Sequence, residues 1–279
     1  LAAFYPFNGN ADDASGRGNN GAVNGPILTT DRFGIADSAY SFDGINDFIK
    51  IQDAAANDLS PRSTISFWIK PKVGYGSPAE DNIQIISKWG RGGPGLASYN
   101  FGVTSSGLPY VAGSDGIKGQ RAIDTLSIPT DDWHQLTVVI DLLNFKLFRD
   151  GILRFSTNLV QPQQNSSLNL NFGREETGNY AFYGGKLDDV RIYSRALSEQ
   201  EVLDLYNYES RKEPWLSISV ENVRVTMHVR PSRKYQLEAS LGLNNWTKVG
   251  GVFTATSSEI TQLVSAVEVG RYFRLVEVP

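Results

Sequence analysis

The sequence predicts an all-β protein with one short helix, and three observations carry that prediction. Its 279 residues include 27 Gly and 12 Pro, a content that favours many turns over long helices. Hydrophobic residues make up 41% of the chain and aromatics 11%, enough to bury extended sheets. Short runs alternate apolar and polar residues from end to end, the period of two that a half-buried strand requires. The length favours one large domain and one small one.

Taken in order, Phe4 to Phe7, Ala39 to Phe42 and Phe48 to Ile51 read as the first strands. In Ile65-Ser66-Phe67-Trp68-Ile69-Lys70, the residues Ile65, Phe67 and Ile69 share one face. Trp68 is then on the other face and needs cover from a second layer or a long loop. Ile83 to Ser87 and Tyr99 to Val103 follow as strands. His134 to Ile140, Phe145 to Arg149 and Ile152 to Ser156 form an antiparallel meander, and its second turn, Asp150-Gly151, accepts the positive φ of a tight hairpin. Leu168 to Phe172 and Leu187 to Tyr193 complete the larger domain.

The helix begins after Ser198, which caps the first turn while Glu201 reaches back to close a capping box; Leu197 and Val202 stand at the positions of a hydrophobic staple. Val202, Leu205 and Tyr206 share a face and pack the helix onto the domain. Arg211-Lys212-Glu213-Pro214 is charged and ends in Pro, as a linker does. The expected domains are therefore 1–210 and 211–279. In the second, Leu216 to Val220 and Val223 to Val229 read as a hairpin turned at Glu221-Asn222, followed by strands at Tyr235 to Ala239, Gly251 to Thr254 and Tyr272 to Val276.

A formal charge of -4 and the absence of a Lys/Arg cluster argue against nucleic acid. The absence of Cys removes disulfides, thiol nucleophiles and thiolate metal sites, and two His make an imidazole-rich zinc site a poor reading. Calcium, which takes oxygen ligands, stays open. No segment reaches the roughly 20 consecutive apolar residues of a membrane helix, so no membrane insertion is expected. The chain opens at Leu1 without Met or a basic leader and reads as a mature fragment or an excised piece.

Several segments together resemble the laminin-G-like, concanavalin A-like lectin/glucanase jelly roll of many secreted bacterial proteins. Phe4-Tyr5-Pro6-Phe7-Asn8-Gly9-Asn10-Ala11-Asp12-Asp13-Ala14-Ser15-Gly16 looks like the family's opening strand and Asp-x-Ser-Gly loop. Ser41-Phe42-Asp43-Gly44 with Asp47-Phe48-Ile49, and then Ile65 to Pro71, match later blocks. Gly184-Gly185-Lys186-Leu187-Asp188-Asp189-Val190-Arg191-Ile192-Tyr193 with the helix after it is the most specific. Tyr235-Gln236-Leu237-Glu238-Ala239-Ser240 is similar to small carboxy-terminal β-modules of large secreted proteins. The resemblance implies a two-sheet jelly-roll sandwich over roughly residues 1–208, followed by a small sandwich-like module. Its members mostly bind glycans or proteins, commonly with a calcium ion.

The loop from Asn8 to Asn24 is rich in Asp, Asn and Gly, which suits a calcium loop and suits an ordinary turn-rich loop equally. If the first and last strands pair, as the family fold implies, Asp13 and Asn20 approach Asp188, and Asp43 belongs to a neighbouring block. These four are the expected metal ligands of a structural calcium site. Asp188 shares strand parity with Val190 and Ile192 and is expected on the core side, where an unpaired carboxylate is costly. Its partner is either calcium or a set of backbone N–H groups.

Among aromatics in loop-like regions, Tyr75, Trp89, Tyr99, Tyr110, Tyr180 and Tyr183 are candidate sugar platforms, with Trp89, flanked by Lys88 and Arg91, leading. The competing reading of each is plain core packing. The Glu-x-Asp-x-x-Glu spacing of concanavalin A-like hydrolases is absent, and neither His134 nor His228 belongs to a recognisable catalytic set. The expectation is a non-enzymatic, extracellular or cell-surface module that binds a polysaccharide, glycoconjugate or matrix protein. A glycan-active enzyme and a structural spacer are the alternatives.

Overall fold

The computed structural model describes residues 1–59, 61–76, 81–90, 96–114, 119–130, 132–158, 165–177, 181–210, 222–240, 245–265 and 272–279. The chain divides into two compact units, Leu1–Lys212 and Glu213–Pro279. Residues 211–221, which hold the expected linker and the Leu216 to Val220 strand, lie outside the described residues.

The first unit begins with β1 (Ala3–Tyr5), β2 (Gly21–Asn24), β3 (Ile27–Thr29), β4 (Ala39–Asp43) and β5 (Phe48–Ile51). It continues through β6 (Arg62–Gly76), β7 (Ile83–Trp89), β8 (Ala97–Val103), β9 (Pro109–Ser114) and β10 (Gly119–Ile123). The remaining elements are β11 (His134–Asp141), β12 (Asn144–Arg149), β13 (Ile152–Asn158), β14 (Leu170–Phe172), β15 (Tyr183–Tyr193) and α1 (Glu199–Glu209). They build an eight-stranded sheet ordered β13-β12-β11-β6-β15-β4-β3, with β1 also on β15, and a seven-stranded sheet ordered β10-β9-β8-β7-β14-β5-β2. β2, β3, β9 and β10 carry no apolar alternation strong enough to be read from sequence.

The main core lies between the two sheets. Ile65, Phe67 and Ile69 of β6 face it, with Leu187 and Val190 of β15 beside them and Phe101 and Val111 opposite, all buried. Each such side chain contributes about 1.5–3 kcal/mol through loss of apolar contact with water. β1 pairs antiparallel with β15, Ala3 opposite Ile192 and Tyr5 opposite Val190, so the first strand of this unit is closed against its last.

Trp68 turns outward, and its cover is α1. Tyr206 stacks on its indole at 5.8 Å between ring centroids. Val139, Phe148, Leu197 and Val202 form a small second core under the same helix. Ser198 caps α1 and closes the capping box with Glu201; Arg195 and the cap hold the Glu201 carboxyl down at about 2. Among the described residues no helix is long and apolar enough to cross a membrane.

The second unit contains β16 (Asn222–His228), β17 (Lys234–Ser240), β18 (Thr247–Thr254), β19 (Glu259–Ser265) and β20 (Tyr272–Val278). β16 pairs β19, while β18-β17-β20 form a three-stranded sheet. Met227, Leu237, Ala239, Val249 and Val264 make its core.

Candidate functional site

The four expected metal ligands do not assemble into one ligand set. Asp13 does sit close to β1, but its carboxylate is occupied: Oδ1 accepts from the Phe4 and Ser15 amides, and Oδ2 from the Asn19 amide and side chain. Asn20 is used up as well, its Oδ1 accepting the Asp13 amide at 3.0 Å. Burial raises the Asp13 carboxyl, but the hydrogen bonds from Ser15, Phe4 and Asn19 outweigh it and leave the group below its ordinary value. Asp43 closes a turn by accepting the Ile45 and Asn46 amides. It stands opposite Gly184, well along β15 from Asp188, which is opposite Trp68. Among the described residues, no group of three or more His, Asp or Glu side chains could hold a metal ion.

Asp188 also departs from expectation in the face it uses. A bulge between Asp188 and Arg191, with Asp189 at φ 46°, inserts an extra residue against β6 and reverses the side-chain phase. Val190 and Ile192 consequently face the core, while Asp188 shares the outer face with Trp68. Its partner is a guanidinium: Arg32 Nη1 donates to Asp188 Oδ2 at 2.7 Å and Arg32 Nη2 to Asp189 Oδ2 at 2.8 Å. Burial and Asp189 push the Asp188 carboxyl well up, against the pull of Arg32.

The same outer face holds Glu209, the last residue of α1, which accepts from Trp68 Nε1 and Gln135 Nε2, each at 2.7 Å, and from Arg191. Burial raises its carboxyl, opposed by Arg191. Arg32 lies 4.6 Å over the Trp68 ring and donates through Nε to the Glu209 carbonyl. The network is closed on itself and latches the helix end to the sheet.

The expected sugar platforms divide sharply. Tyr99 is wholly buried, donates to the Asn57 carbonyl and stacks on Phe101, so it belongs to the core and is not a ligand contact. Tyr183 is likewise buried, donating to the Lys186 carbonyl. Tyr75 donates to the Ile128 carbonyl and packs on the core. Arg91 and Tyr180 lie outside the described residues. Trp89 and Tyr110 come together.

They line a concavity of about 370 Å³ on the outer face of the seven-stranded sheet, with Asn82, Gln84, Asn100, Ala112, Gly119, Gln120, Arg121 and Glu175. The sheet register places these side chains. Gln84 of β7 lies opposite Gly102 of β8, and Gly102 opposite Tyr110 of β9. One row along, Asn100 lies opposite Ala112 and Ala112 opposite Arg121. The intervening residues Phe101 and Val111 point into the core, so alternation alone sends the polar set outward.

Gly102 makes this floor possible. A Cβ there would meet the Tyr110 hydroxyl at 2.8 Å and the Ile83 carbonyl at 2.0 Å. Without one, the phenol lies across the neighbouring strand and donates to Asn100 Oδ1 at 3.1 Å. Arg121 sits over the Tyr110 ring, 5.4 Å from its centroid, at the exposed rim.

Glu175 comes from the turn after β14 and is wholly buried. The turn is pinned: the Glu176 amide donates to the Trp89 carbonyl at 2.9 Å, Asn169 and Asn171 donate to the Glu176 carboxylate, and Arg174 stacks on Phe48 at 3.5 Å. Gln84 Nε2 donates to Glu175 Oε2 at 2.9 Å. Glu175 is the one carboxylate among the described residues that line the concavity. Sequence reasoning missed Gln84, Asn82, Asn100, Arg121 and Glu175; the only signal was the polar Gln84 interrupting the apolar run from Ile83 to Ile86.

The chain matches the model of the concanavalin A-like lectin/glucanases superfamily over residues 43–203. No curated protein matches it in sequence. Among solved structures it is similar to domain 4 of an extracellular arabinanase from Geobacillus stearothermophilus in complex with arabinotriose, at TM-score 0.57 and 19% identity, covering 74% of this chain and 98% of that one. The binding domain of Paraclostridial mosquitocidal protein 1 is similar at TM-score 0.57 and 21% identity, covering 83% of this chain and 56% of that one. The ligand binding domain of botulinum neurotoxin serotype D in complex with N-acetylneuraminic acid gives TM-score 0.56 and 17% identity, covering 92% and 62%. The chain thus spans less than two thirds of the two toxin domains, and at these identities the likeness is one of fold.

Proposed function

The chain belongs to the concanavalin A-like lectin/glucanase superfamily, and from that premise we propose that it is a non-catalytic recognition module whose first unit binds a carbohydrate in the concavity between Trp89, Tyr110 and Glu175. One observation carries the reading. A half-buried indole stands beside a cavity of about 370 Å³ whose other walls are amides, a guanidinium and a buried carboxylate. A sugar ring presents an apolar C–H face and a polar rim, so it pairs an aromatic platform with such groups. The similar solved structures in complex with arabinotriose and N-acetylneuraminic acid support a glycan as the partner class.

Hydrolysis is disfavoured because the reaction needs two carboxylates about 5–10 Å apart across the scissile bond, and Glu175 has no acidic companion among the described lining residues. An extracellular or cell-surface setting fits this role and agrees with the extracellular arabinanase among the relatives.

A glycan array followed by calorimetry on the best binder tests the proposal. Trp89→Ala is expected to weaken binding roughly 30-fold, the loss of an aromatic hot spot worth about 2 kcal/mol, while the melting temperature stays put. A protein that binds no glycan, or whose affinity is indifferent to Trp89, would end the carbohydrate reading. Product formed from a bound oligosaccharide would instead favour the enzyme.

A further inference from the structure

We infer that the floor of the Trp89 concavity reads free sugar hydroxyls as hydrogen-bond donors, so that the seated ring must be an unsubstituted, donor-rich sugar unit. This rests on the carbohydrate reading above and specifies what that site selects.

Gln84 is 2% exposed and lines the cavity floor. Its amide has two ends of opposite character. The Nε2 end donates to the Glu175 carboxylate at 2.9 Å, and only a nitrogen can face a carboxylate there. The orientation of the amide is therefore set by its partner, and the Oε1 end must point the other way. That oxygen has no hydrogen-bond partner among the described residues. Asn82 Oδ1, on the same wall, is also buried and unpartnered among them.

An acceptor left unmatched in a buried site costs free energy, and a ligand donor that reaches it recovers that cost. Both unmatched atoms are acceptors. Asn100 Oδ1 is already taken by the Tyr110 hydroxyl. The donors, Arg121 and the side-chain amide of Gln120, stand higher on the rim, where Arg121 is exposed and Gln120 half-buried.

The two unmatched buried acceptors thus lie at the floor, the exposed Arg121 guanidinium at the mouth, and an indole on one side. A ring stacked on Trp89 with two hydroxyls directed downward satisfies both acceptors. A ring whose seated hydroxyls are methylated, acetylated or replaced by sulfate offers no proton and leaves Gln84 Oε1 as it was. Discrimination of this kind is strong because the buried protein atom is penalised when the wrong ligand binds.

The test uses the full chain with the best binder among arabinotriose, maltotriose and cellotriose, and with versions of it fluorinated in turn at each hydroxyl of the non-reducing residue. Fluorine keeps the size of the hydroxyl and donates nothing. At least one position is expected to lose tenfold or more in affinity, and that loss should shrink to less than threefold in Gln84→Met or in the gentler Asn82→Ala, each checked for an unchanged fold by its melting temperature. Fluorination tolerated within twofold at every position overturns the inference, as does a penalty that persists in both variants. If the array yields only acidic or fully substituted glycans, carbohydrate binding stands and this inference falls. If it yields nothing, both fall.

Discussion

Arg32 and Asp188, 156 positions apart in the chain, form a buried ion pair with Nη1 2.7 Å from Oδ2 and side chains 8% and 3% exposed. The guanidinium bridges Asp188 and Asp189, stacks on Trp68 and reaches the Glu209 carbonyl. It stands where calcium or a set of backbone N–H groups was expected beside Asp188.

Removing it has a predictable cost. Arg32→Ala leaves Asp188 buried without its counter-charge, while Asp189 keeps only Arg191 at 3.5 Å, a loss of about 3–5 kcal/mol by analogy with broken buried pairs. Arg32→Lys should recover only part of it, because a single ammonium cannot span both carboxylates. Urea unfolding checks both. The deficit of Arg32→Ala should narrow as pH falls, since the Asp188 carboxyl, already pushed up by burial, then takes up a proton.

Chelation should leave the first unit unmoved. A calcium ion held with a Kd of about 0.1 mM at 1 mM free calcium would add about 1.4 kcal/mol, or roughly 3–6 °C in melting temperature. Asp13, Asn20 and Asp43 already spend their oxygens on backbone amides, and Asp188 on Arg32. Scanning calorimetry with EDTA is therefore expected to show no shift of that size.

The Asp13 turn should instead reveal itself through acid. Its folded carboxyl lies below the ordinary value, so its stabilisation is full above the unfolded pKa of about 3.9 and is lost as pH falls through the folded value. Asp43 and Asp124 act in the same direction. Asp188 and Glu209, raised by burial, act oppositely and lose their contribution as pH rises through their folded values. Asp13→Asn sets an amide against the Asn19 donors and should cost about 1–3 kcal/mol at neutral pH. Its melting temperature should then fall less steeply below pH 4 than that of the parent.

Gly119 offers a way to disturb the sugar site without touching a polar group. A Cβ there would lie 2.7 Å from Trp89 Cη2, so Gly119→Val must push the outer edge of the indole aside. Glycan affinity is expected to drop tenfold or more while the melting temperature changes little, because Gly119 is exposed on β10. Equal affinity in calorimetry would mean that the indole edge is no part of the platform.

Much of the larger unit was legible from local pattern. Strands such as Phe48–Ile51 and His134–Asp141 bury one face and leave the other wet or covered, so their alternation survives in the chain, and the Ser198 cap and Glu201 are a local motif. β2 and β9 were not legible: their exposure follows from neighbouring strands and loops rather than from their own period.

Asp188 marks the limit of such reading. Counting by twos placed it with Val190 on the core face, and a single extra residue at Asp189 reversed it. Nothing in Asp-Asp-Val announces that bulge, because it is decided by how β15 must register against β6.

By itself, then, the sequence determined the class, the strands with strong alternation, the helix with its cap, and the family resemblance, all of which depend on residues close together in the chain. Only the tertiary structure decided what Asp188 binds, that Tyr99 is core while Tyr110 is cavity floor, and that Gln84, Tyr110, Arg121 and Glu175 share one concavity. Those relationships join strands far apart in sequence, and they exist only once backbone hydrogen bonding has fixed which residue stands opposite which.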